Sequence, residues 1–126
     1  MTLIVQSVAE SPSLAVDAPP AYGYLRVPDD VPDHQVLRLE RALIAFAESE
    51  GLSFAGFFFE FEWGLRKGFN DLIAELVRTG AHHVVVPSLR HLALSTRLQD
   101  ARQDRLAREA GAVVLARLPS VVNPST

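Results

Sequence analysis

The chain contains no cysteine, which excludes disulfides, cysteine nucleophiles and thiolate metal sites. No stretch is apolar for long enough to span a bilayer, and the N-terminus lacks the basic start and cleavage signal of a secretory peptide. A cytoplasmic protein without membrane contact is expected. Excess positive charge is missing too. A net charge of -3 and a pI near 5.7 argue against wrapping nucleic acid by bulk charge, while leaving room for a local basic patch. No glycine-rich loop follows the first strand-like stretch: Val27-Pro-Asp-Asp30 is the reverse of a phosphate cradle. A small-molecule enzyme built on such a loop is disfavoured, and no cofactor or metal is expected.

What is present is enough apolar material for one domain, 48% of 126 residues. Residues 1–20 open with an apolar run, Leu3-Ile-Val5, and then lose any period, so they are expected to be a flexible extension; Leu3 to Val8 is a candidate edge strand. Ala21-Tyr-Gly-Tyr-Leu-Arg-Val-Pro28 reads as the first, central strand, with Arg26 near its C-terminal end, where open α/β sheets place ligands. A helix from about His34 to Glu50 follows, with Asp30 or Asp33 as its cap, and Val36, Leu39, Leu43, Phe46 and Ala47 on one face. The nearby acidic cluster reads as capping and loop chemistry rather than a cation site.

Leu52 to Phe61 is a nearly continuous apolar run, the pattern of a parallel strand covered on both faces, and Glu60 at its end falls at the same C-terminal edge of the sheet as Arg26, where the plain alternative is a rim charge. A turn around Trp63 leads to a helix over Gly68 to Thr79, then to a strand, Val84-Val-Val-Pro87. His82 and His83 open it; neighbours on a strand face opposite ways and cannot share an ion, so both read as surface residues. After the loop Ser88–Ser95 come a helix over Thr96 to Ala110, whose mixed charges suit a salt-bridged solvent face, and a fourth strand from Ala112 to Leu118. Residues 119–126 form a tail. The alternation β-α-β-α-β-α-β implies one α/β domain over residues 21–118, a mainly parallel sheet of about four strands with helices on both faces.

Taken together, Tyr22-Gly-Tyr-Leu-Arg-Val27, Gln35 with Leu39, Phe58-Phe-Glu60 with Gly64, Arg66-Lys-Gly-Phe69 and Val84-Val-Val-Pro-Ser-Leu89 with Leu92 resemble the N-terminal catalytic domain of serine recombinases, the resolvase and invertase family. The resemblance implies a three-layer resolvase-like fold. It also implies an active site in which a serine after the Arg-Val pair attacks a DNA phosphodiester while arginines neutralise the phosphate. Here that serine position is Pro28, which has no hydroxyl. Arg26, Gln35, Glu60 and Arg66 match family active-site positions, with Glu60 in place of the usual aspartate. The family's Leu-Asp-Arg-Leu-(Ala or Gly)-Arg loop appears as Leu89-Arg-His-Leu-Ala-Leu94, so Arg90 holds the aspartate position and His91 and Leu94 hold the arginine positions.

The nucleophile and two cations are thus missing together. A shifted hydroxyl, Ser88 or Ser95, would need the arginines rearranged around it. The family's further strand, long dimer helix and DNA-reading domain find no match after Pro119. The expectation is a degenerate, catalytically inactive relative that acts through self-association or an unknown protein partner. Trp63, Leu65 and Leu94 are its candidate interaction surface, at positions the family often keeps polar. The alternative is weak binding of the DNA backbone by a remnant phosphate pocket of Arg26, Gln35, Glu60, Arg66 and Arg90.

Overall fold

The computed structural model describes residues 18–28, 30–61 and 66–118. Four strands, β1 (Pro20–Val27), β2 (Ser53–Phe61), β3 (His83–Val86) and β4 (Val113–Ala116), form an all-parallel sheet in the order β2-β1-β3-β4. Three helices connect them: α1 (Asp33–Ser49), α2 (Lys67–Thr79) and α3 (Thr96–Ala110). A 3-10 turn, Leu89–His91, lies between β3 and α3. The expected α/β class, central first strand and covering of both sheet faces are all present. Trp63, Leu65, the segment Leu3–Val8 and the 119–126 tail lie outside the described residues.

The side-chain alternation of β1 builds two cores. Tyr22 and Tyr24 face α2 and α3, joining Phe69, Leu72, Leu76 and Leu106. Ala21 and Leu25 face α1, joining Leu43, Ala47 and Leu52. Both tyrosines pack on phenylalanines, Tyr22 tilted against Phe58 at 5.8 Å and Tyr24 edge-on to Phe69 at 5.7 Å between ring centroids. The helical spacing of Leu43 and Ala47 therefore does what it predicts, burying one face of α1 on the sheet.

Two expectations are corrected, and one feature was not foreseen. Pro32 holds the N-cap position of α1 and no side chain caps it, so neither Asp30 nor Asp33 plays that part; Asp33 is the first helical residue, where its charge suits the helix dipole. β2 is covered by helices on both faces, as expected, but its place in the sheet was not foreseen. It lies at the edge of the sheet, and Phe54, Phe57, Phe58 and Phe59 are only partly buried. An apolar run records helices above and below a strand, not whether a neighbour lies beside it. Finally, His83, expected at the surface, is half-buried as the first residue of β3, while His82 is exposed as expected.

The α3 surface agrees with the charge pattern: Arg105 pairs with Glu109 and Arg108 with Asp104, each at 2.8 Å. Arg102 departs from it. Its guanidinium lies 5.3 Å from the centre of the Phe69 ring and donates to the Leu92 carbonyl at 2.7 Å. No helix among the described residues is long and apolar enough to cross a membrane.

Candidate functional site

In a sheet ordered β2-β1-β3-β4, the chain leaves β1 toward one face and β3 toward the other, opening a crevice at their C-terminal ends. Pairing of β1 with β3 stops at Gly23 and Val85, so the last residues of β1 have no strand on that side. His91 fills the gap. The Arg26 backbone N–H donates to its Nδ1 at 3.1 Å, so a turn side chain satisfies a strand amide that would otherwise lack a partner.

The loop that carries His91 is fastened by α3. Gln99 is buried and donates to the Ala93 carbonyl at 3.0 Å, Arg102 holds the Leu92 carbonyl, and Leu92 itself is fully buried. Ser95 caps α3 by accepting from the Leu98 N–H at 3.2 Å. Burial, and then the Arg26 charge, push the His91 pKa down to about 4. The imidazole is neutral at pH 7 with Nδ1 already accepting, so its remaining proton sits on Nε2.

Around this turn is a cavity of about 270 Å³. Arg26, Gln35, Arg90 and His91 supply its polar lining, Pro28 and Leu94 part of its apolar one, and among the described residues no carboxylate lines it. Arg26 is half-buried, Gln35 and Arg90 are exposed, and Leu94 is 60% exposed. Among the described residues, neither Arg26 nor Arg90 belongs to an ion pair. Ser88 and Ser95 do not line the cavity, and the Ser95 hydroxyl is already in use as a cap.

Glu60 and Arg66 lie outside this group. Glu60 is 4% exposed, not a rim charge. Its Oε1 accepts from the Tyr24 hydroxyl and from the Phe69 backbone N–H, both at 3.0 Å. Phe69 is in the first turn of α2, so a carboxylate from the preceding strand caps that helix, which has no cap of its own. Burial and the adjacent carboxylate hold the Tyr24 hydroxyl well above its usual pKa. Arg66 is exposed at the N-cap of α2 in a left-handed conformation, with φ of 70°. The close approach depends on Gly68: a Cβ there would lie 2.1 Å from the Phe59 carbonyl oxygen.

Of the five sequence candidates for a phosphate pocket, three come together beside Pro28 and two are drawn into the start of α2. Sequence reasoning missed His91 and Tyr24 as partners. The signal for Tyr24 was a hydroxyl on the most buried strand, which needs an acceptor when no water reaches it. Among the described residues, no group of three His, Asp or Glu side chains is placed to hold a metal ion. No protein-family model matches the chain, and neither does any curated protein.

Proposed function

We propose that the chain is a catalytically inactive, serine-recombinase-like protein whose working role is contact with other proteins or with its own copies, in DNA-linked regulation or mobile-element biology. The observation that carries this reading is Pro28 in the crevice wall beside Arg26, Gln35 and Arg90. Guanidinium groups can hold a phosphate, but strand transfer also needs a nucleophile within reach. Pro28 supplies none. His91 is poorly placed to deputise as a base, because its one basic lone pair, on Nδ1, already accepts from the Arg26 N–H and its pKa is pushed down to about 4. The apolar lip at Leu94 supports a protein contact at the same end of the sheet.

Purified protein incubated with supercoiled plasmid should leave the DNA intact and form no adduct that survives denaturation. A covalent protein–DNA product would overturn the reading.

A second reading, weak binding of the DNA backbone, is favoured by one observation: Arg26 and Arg90 line one cavity in which, among the described residues, no carboxylate neutralises them. Binding of that kind is electrostatic and fades steeply with salt.

A further inference from the structure

β2 is the outermost strand of the sheet, and among the described residues nothing pairs with its outer edge. Proteins usually blunt such edges with lysine, proline, short length or a bulge. β2 runs for nine residues, contains no lysine, arginine or proline, and turns its one ionisable group, Glu60, inward. One protective device is present. Ala21 pairs with Phe54 and Tyr22 with Gly56, so Ala55 is an extra residue that interrupts the ladder and leaves Gly56–Phe61 regular.

Along that regular part, Phe57, Phe59 and Phe61 stack on the α1 face, with ring centroids 5.8 and 6.2 Å apart. The stack ends in the open. Phe61 is 53% exposed and Leu37 of α1 is 45% exposed, and the two line one groove with Phe59, Val27 and Val36.

We propose that this edge pairs with the same edge of a second copy, antiparallel about a two-fold axis at Phe59, joining the two sheets into one. A two-fold axis normal to the sheet keeps both α1 faces on the same side, and directly opposite residues share a face. With the axis at Phe59, that residue meets the partner's Phe59, and Phe57 meets the partner's Phe61. All three positions of the stack then face a phenylalanine, and aromatic cross-strand pairs favour sheet pairing. Shifting the axis to residue 57 or 58 sets Phe61 against a serine or an alanine instead. A foreign strand would need the same alternation in its own sequence; a second copy has it by identity.

This inference rests on the reading above only in taking protein contact as the working role. Sedimentation of the full chain over a concentration series should give twice 13.8 kDa, reverting to that single mass in Phe61→Lys, a change at a position already more than half exposed. Because the chain has no cysteine, register can be tested directly. Phe59→Cys should form a covalent dimer under mild oxidation. Phe61→Cys should not, since its counterpart would lie four residues along the strand, about 13 Å away and beyond disulfide reach.

A monomer at every concentration overturns the proposal, including one whose β2 amides resist hydrogen exchange, which would mean that part of the same chain covers the edge. So does a dimer that ignores Phe61→Lys, or one that cross-links at 61 and not at 59. A dimer with the wrong cross-link removes this interface and leaves the inactive reading standing, whereas a covalent DNA adduct removes that reading and leaves the dimer.

Discussion

Tyr24 and Arg26 point to the same side of β1, two residues apart, yet they belong to very different polar groups. Tyr24 is fully buried and donates to Glu60, which also caps α2. Arg26 is half-buried beside a cavity open to solvent, and its charge has no carboxylate partner among the described residues. One group is buried and wired into the fold, while the other leaves its donors lining an open cavity. The difference separates what Glu60 does from what the arginines do. A buried acceptor with two donors is architecture, whereas an open pair of guanidinium groups is capacity for binding.

Breaking the buried group should have the largest effect. Glu60→Ala leaves the Tyr24 hydroxyl and the Phe69 N–H buried without an acceptor, at a cost of about 2–4 kcal/mol for the two groups. Chemical denaturation should show this loss as a lower midpoint with an unchanged slope. Glu60→Gln keeps one acceptor oxygen and should recover part of it. If Glu60→Ala were as stable as the parent, the carboxylate would have to be redundant at the start of α2.

In the open group the fold depends on His91, which accepts from the Arg26 N–H, and its test is pH. Its folded pKa of about 4 lies below the ordinary histidine value near 6.5. Between those values the unfolded chain binds the extra proton and the folded chain does not. The stability His91 confers is therefore complete above pH 6.5 and is lost as pH falls toward 4, by about 3 kcal/mol in all. His91→Ala should lower stability at pH 7 by about 1–3 kcal/mol, because the Arg26 N–H loses its acceptor. It should also flatten the decline between pH 6.5 and 4. A decline of equal steepness in both proteins would place the acid sensitivity elsewhere.

The sequence makes the buried group harder to foresee than the fold. The existence of the strands and the helix faces follow from local runs: Leu43 and Ala47 are spaced for burial, and Val84 to Val86 are branched for a buried strand. Glu60 capping α2 depends instead on the register that sets Arg26 beside Glu60, and on Gly68 letting the helix approach β2. Neither is a local property. His91 was hidden for a related reason. Its partner is a backbone amide 65 residues away, left without a strand where β1 and β3 part, and no side-chain pattern marks such a vacancy. The edge position of β2 was likewise illegible, because its phenylalanines satisfy helices on the two faces whether or not another strand lies beside them.

Opening the second group further should barely disturb the fold. Arg90 is exposed, lies in a short 3-10 turn and joins no ion pair among the described residues. Arg90→Ala should therefore change stability by no more than about 0.5 kcal/mol, the usual range for surface substitutions. If the cavity engages a DNA phosphate, the same change should weaken duplex binding at low salt and reduce the slope of log affinity against log salt by about one contact. Fluorescence anisotropy with a short labelled duplex measures both quantities. A parent protein that shows no binding at low salt would end the phosphate reading outright. Binding that survives Arg90→Ala with the same salt slope would assign the phosphate contacts to other cations, and the switch-point cavity would lose its claim to them.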